Sequence, residues 1–172
     1  MLKIEMKKIL LIAVLAVASL AAYAQPRAIG ANLGGSLGFS YQHGFGEANM
    51  LDVAVYTPIA IGQGQVWGLS GIVTYDWIDP FNAPVPWDNK GEWHWYMGVG
   101  GAGGAFFGAN AGYVGVAGHF GIEYDFWFPF QLSLDWRPVI GVGIASANGA
   151  TGVGFNTGGL YEGITLGVRY KF

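Results

Sequence analysis

From Ala28 to Gln42 the chain alternates with a period of two. Ile29, Ala31, Leu33, Leu37, Phe39 and Tyr41 stand against Gly30, Asn32, Gly34, Ser36, Gly38, Ser40 and Gln42. That period marks a β-strand with two unlike faces. It recurs in 50–60 (Leu51, Val53, Val55), 65–77 (Trp67, Leu69, Val73, Tyr75, Trp77) and 93–105 (Trp93, Trp95, Met97, Val99). Further on it reappears in 114–124, 132–143 and 164–172, through Val116, Phe120 and Ile122, then Leu132, Leu134 and Ile140, then Ile164, Leu166 and Val168. Seven segments are clear. An eighth strand is expected in 150–157, where Val153 and Phe155 alternate after Asn148-Gly149, the composition of a two-residue hairpin turn. Two other partitions stay open: 146–160 as one long loop, leaving seven strands, or 28–42 divided in two.

The second face of these strands is Gly, Ser, Thr and a few ions. A soluble barrel would hide its large apolar face and show charge to water. Here the small face cannot build a hydrocarbon core and is too poor in charge to coat a soluble surface. Inverted, the pattern fits: apolar side chains meet lipid, small and polar ones fill a narrow lumen, and the sheet closes so that every backbone group is paired. The expected fold is all-β, a closed antiparallel transmembrane β-barrel of eight strands, with a soluble periplasmic barrel or sandwich as the competing class. Tyr41, Trp77, Trp93, Tyr124, Tyr170 and Phe172 at strand ends suit interfacial girdles.

Composition agrees. Of 172 residues, 52% are hydrophobic, 30 are Gly and only 11% are charged, less than half the roughly 25% of ordinary soluble domains. No apolar run after the first 25 residues reaches the roughly 18 that a spanning helix needs. The start is different. Lys3, Lys7 and Lys8 precede an apolar stretch from Ile9 to Leu20, broken only by Ser19, and Ala22-Tyr23-Ala24 follows. This is the layout of a secretory signal peptide cut after Ala24, leaving 25–172 as the barrel. Removing it leaves five basic residues against ten acidic ones, a net charge of −5. There is no basic footprint for nucleic acid. With 0 Cys the chain has no disulfides and no site for a lipid anchor.

Three stretches carry a resemblance: Ala28-Ile29-Gly30 leading to Ser40-Tyr41-Gln42-His43, the run Pro129-Phe130-Gln131-Leu132-Ser133-Leu134-Asp135-Trp136-Arg137-Pro138, and the ending Arg169-Tyr170-Lys171-Phe172. In these the chain resembles the small outer-membrane β-barrel proteins common in Bacteroidetes, over essentially the whole of 25–172. The resemblance implies residence in the outer membrane, contact with its lipid, and insertion by the barrel assembly machinery through the C-terminal strand ending in Phe172. It implies no reaction and no catalytic residues.

Candidate chemistry lies on the small face. His119 and Glu123 are four apart on one strand and so share a side, with Asp125 and Tyr113 in the same parity. Asp52, Asp76, His94, Asp135, Arg137 and Arg169 also point inward. The simpler reading is a lumenal network of ion pairs and hydrogen bonds, since buried charges need partners. The sharper one is a lipid hydrolase or acyltransferase using His119, but no Ser stands in a recognisable nucleophile setting. His43, His94 and His119 lie on separate segments without ligand spacing, so neither metal nor cofactor is expected. The Gly-rich run 98–104 lacks the Lys-Ser/Thr and helix of a phosphate loop. The Pro-rich stretch 79–88 holds Phe81 and Trp87, candidate contact residues of a display loop. With the N-terminus periplasmic, the longest connection, 78–91, falls outside the cell. The expected role is structural or loop display (adhesion or interaction). A narrow channel for small solutes is the alternative, and a lipid-modifying enzyme a remoter one.

Overall fold

The computed structural model describes residues 25–58, 68–81, 90–147, 150–156 and 163–172. The expected signal peptide, 1–24, lies outside the described residues. The strands are β1 Gln25–Gly34, β2 Ser36–Gly44, β3 Asn49–Pro58, β4 Gly68–Phe81, β5 Glu92–Phe106, β6 Ala111–Asp125, β7 Phe130–Trp136, β8 Val139–Ala147, β9 Ala150–Asn156 and β10 Ile164–Lys171. The order β5-β4-β3-β2-β1-β10-β7-β6 returns to β5 through the β5–β6 ladder, so eight antiparallel strands close a barrel. Closure leaves the circuit without an edge.

Strands β8 and β9 continue this wall. Phe120 faces Trp136 and, three steps on in both strands, Ala117 faces Val139, so β7 and β8 hold one register along β6. Only Arg137-Pro138 interrupts them. Pro138 has no N–H to give the ladder, but its carbonyl still accepts from the Gly118 amide at 2.8 Å. The β8–β9 hairpin rises beyond the β1–β2 tip, where Gly34 faces Thr165 and Ile164 faces Trp136. We call the end where β1 starts and β10 finishes proximal, and the hairpin end distal.

Eight strands are found, but partitioned differently from the expected set. Residues 28–42 form two strands reversing at Gly35, because Leu33 pairs with Leu37 and partners throughout that ladder share parity. Alternation therefore passes through the turn unbroken. Residues 150–156 are extended, yet they form the outer arm of a hairpin, not a separate member of the closed circuit. The reading of 28–42 as one strand inverts the direction of those that follow, which corrects a second expectation. The connection 82–91 leaves and re-enters at the proximal end, where Phe81 pairs with Trp93 and Glu92 with Asp125.

The partition of side chains is the reverse of a soluble fold. The largest fully buried side chains begin with Arg137, Arg169, Tyr96, Met50, His119 and Gln42, whereas Leu69, Val73, Val116, Leu134, Ile140 and Leu166 are exposed. Among the described residues every charged side chain lies inside the barrel or near its proximal end, where Glu47, Asp79, Lys90 and Glu92 are exposed. Aromatic rings gather around that same end. One run links Tyr41, His43, Phe45, Tyr75 and Trp77, another Trp93, Tyr124, Phe126, Trp127, Phe128, Phe130, Tyr170 and Phe172, with successive centroids 4.8–6.1 Å apart.

The interior is less sparse than its glycines suggest. Tyr56, Ile72, Ala54, Ala102, Ala117 and Val139 form an apolar distal layer with Tyr113 against it, and Met50, Ile78 and Tyr96 form a smaller cluster. The space that lumenal glycines leave is taken by rings from other strands. A Cβ at Gly38 would strike the Tyr56 ring, and one at Gly121 the ring of Tyr96.

Candidate functional site

Between the distal apolar layer and the proximal rim lies a polar cluster whose centre is Asp135 on β7. Its Oδ2 accepts from Arg169 Nη2 at 3.0 Å and from the Ser133 hydroxyl at 2.9 Å; its Oδ1 faces His119 Nε2 at 3.2 Å and accepts from the Tyr96 hydroxyl. These groups come from β7, β10, β6 and β5, and period-two geometry aims each of them at the barrel axis. The other His119 nitrogen, Nδ1, lies 2.9 Å from Asp76 Oδ2 on β4. Both ring nitrogens thus face carboxylates. Thr74 stands beside them, 3.3 Å from each of Asp76 Oδ2 and His119 Nδ1.

Arg169 spends all three of its nitrogens. Nε donates to Ser40 Oγ at 2.9 Å, Nη1 to Ser133 Oγ at 2.6 Å and Gln131 Oε1 at 3.2 Å, and Nη2 also reaches Asn32 Oδ1 at 3.2 Å. Asn32 passes the network on, donating to the Tyr56 hydroxyl at 2.8 Å. Arg137, at the β7–β8 break, donates to Asp52 Oδ1 at 2.7 Å and lies 3.9 Å from Asp135 Oδ2. A guanidinium buried without carboxylates would be very costly; the planar fork of Arg169 finds acceptors on β1, β2 and β7, whereas Arg137 donates to Asp52 and, among the described residues, its Nε and Nη2 have no hydrogen-bond partner.

A second cluster sits proximally. Arg27 pairs with Glu123 and donates to Gln42 Oε1 at 3.1 Å. Asp125 accepts from Lys171 Nζ at 2.6 Å and from Gln131 Nε2 at 3.1 Å. His94 Nδ1 stands 3.7 Å from Glu123 and 3.9 Å from Asp125.

The eight residues singled out in the sequence therefore divide in two. Asp52, Asp76, His119, Asp135, Arg137 and Arg169 join the central cluster; His94 and Glu123 join the proximal one. Arg27 escaped sequence reading because a register shift between Pro26 and Ala28 turns it inward against the parity of its strand. Tyr96 shares the inward parity of His94, but nothing in one strand's pattern tells that its hydroxyl reaches Asp135. Phe81 ends β4 at the proximal rim, and Trp87 lies outside the described residues. Ser133 is the serine hydroxyl bonded to Asp135, and it is sealed with the His119–Asp135 pair, at 3% exposure or less. No family model, curated protein or solved structure matches the chain.

Proposed function

We propose that this chain is an integral outer-membrane β-barrel protein, exported by the signal peptide 1–24, with a structural and surface-display role and no catalytic one. The observation that carries this is the inverted partition: arginines and carboxylates around the axis, an outer face of Leu, Val, Ile and Phe with no described charge distal to the rim. In water such a surface would far exceed the few hundred Å² of apolar patch that soluble monomers expose. In a bilayer it is the required surface, and the proximal ring of aromatics is an interfacial girdle. The reading takes the chain as one of the small Bacteroidetes-type barrels it resembles, inserted by the barrel assembly machinery through the strand ending in Phe172.

With both strand termini periplasmic, the proximal rim, where β4 ends at Phe81 and β5 begins at Glu92, faces the periplasm. The surface presented outside is then the β8–β9 hairpin, where Val153 and Phe155 are exposed. The filled lumen favours display over transport. Tyr56 and Tyr96 occupy the room beside Gly38 and Gly121, Arg137 reaches Asp52 on β3, and Arg169 ties β10 to β1, β2 and β7. The sealed His119–Asp135–Ser133 group likewise supports a network and not a lipid-modifying site.

Two measurements test this. Protein from purified outer membranes should resist carbonate extraction and migrate faster on a denaturing gel before boiling than after; extraction by carbonate would refute the membrane assignment. In planar bilayers the purified barrel should be silent, and stable unitary conductance would restore the channel.

A further inference from the structure

Two groups in the proximal cluster, Gln42 Nε2 and His94 Nδ1, are left over among the described residues once the hydrogen bonds are assigned. His94 Nδ1 is shut off from solvent and has no hydrogen-bond partner among the described residues. It points at two carboxylates, Glu123 Oε1 at 3.7 Å and Asp125 Oδ2 at 3.9 Å, both too far to accept from it. With the ring proton on Nε2, the Nδ1 lone pair faces two buried carboxylates, a repulsion that a cation held between the three groups removes. The three atoms lie within 4.8 Å of one another. Tetrahedral metal–ligand bonds of about 2.0–2.2 Å place such donors roughly 3.3–3.6 Å apart, so closing the set draws its widest pair together by up to about 1.5 Å.

We infer that His94, Glu123 and Asp125 form a binding site for a divalent transition-metal cation of the zinc type at the proximal mouth of the barrel. The site is built by register: His94 is the cross-strand partner of Glu123, and Asp125 follows two residues on, on the same face. That is why the spacing of histidines along the chain gives no sign of it. An imidazole with two carboxylates suits zinc and its neighbours over magnesium or calcium, which take oxygen alone. The second ring nitrogen, Nε2, faces Glu92 Oε2 at 4.0 Å, the outer carboxylate that commonly orients a metal-bound histidine. Among the described residues a cleft bounded by Glu92, Asp125, Trp127 and Lys171 leads to the Asp125 ligand.

Two cations already hold these carboxylates, and they set the terms of binding. Arg27 pairs with Glu123, whose oxygens keep further lone pairs for a metal. Lys171 sits on the very Asp125 oxygen the metal would use, but its side chain is 30% exposed and can swing into the cleft. Lys171 is therefore a competitor. The site depends only on the barrel, not on where the barrel resides.

The test is titration of the tag-free refolded full barrel in detergent with Zn2+ alone, by calorimetry. One saturable site per chain is expected, with no saturable heat from Ca2+. His94→Ala should weaken binding at least tenfold, and Lys171→Met should tighten it several-fold, a gain that general loosening of the rim would not produce. Should His94→Ala fail to fold, the wild-type imidazole NMR signals decide: Zn2+ should shift those of His94 and leave those of His119 in place. Absence of saturable binding, undiminished binding by a folded His94→Ala barrel, or zinc shifts confined to His43 would overturn the site.

Discussion

Arg169 and Asp135 meet across the β10–β7 ladder four residues out of register, since Arg169 pairs with Gln131 and Asp135 with Thr165; Nη2 lies 3.0 Å from Oδ2, and neither side chain is exposed. The contact joins the last strand, β10, to β7, the one preceding the Pro138 break. Removing either member alone strands the other. Asp135→Asn and Arg169→Gln should each cost about 3–5 kcal/mol, the usual penalty for a buried charge left uncompensated. The double variant should cost clearly less than the sum. Urea unfolding in phospholipid vesicles measures all three; additive losses would mean that the two act separately.

Gly38 owes its identity to the Tyr56 ring packed over it. Gly38→Ala should destabilise the barrel by about 1–3 kcal/mol through overpacking. Combined with Tyr56→Leu it should add little further. The same urea midpoints provide the check, and a neutral Gly38→Ala would show that the lumen has room to spare.

Val73 lies in the middle of β4 on the outer face and is 45% exposed. Val73→Arg should cost about 2–4 kcal/mol if that face meets the bilayer interior. On a water-facing surface the same change would fall within about 0.5 kcal/mol. Asp79→Arg, near the proximal end of the same strand, should be nearly neutral in either setting. A pair of vesicle unfolding curves separates the two.

The outer face was legible in the sequence because a pleated strand obliges neighbours to opposite sides, so Leu132, Leu134 and Ile140 announced themselves without knowledge of their partners. What pairing adds was not legible. The Leu33–Leu37 ladder keeps parity through the Gly35 reversal and disguises two strands as one. The shift at Pro26 turns Arg27 inward. His94 and Glu123, 29 positions apart, become neighbours only through the β5–β6 register. The inward parity of Asp135 could be read from its strand, whereas its four donors from four strands required the closed barrel.

The most direct measurement uses the absence of native cysteine. Single substitutions Leu134→Cys, Val116→Cys and Leu166→Cys, with Glu47→Cys in the exposed proximal turn as the accessible reference, are treated in opened outer-membrane preparations with a charged maleimide. The expected result is rapid labelling at 47 and none at the other three until the membrane is dissolved and the protein unfolded. Labelling of 134, 116 and 166 at the rate of 47 in intact bilayers would place the apolar face in water and contradict the membrane barrel.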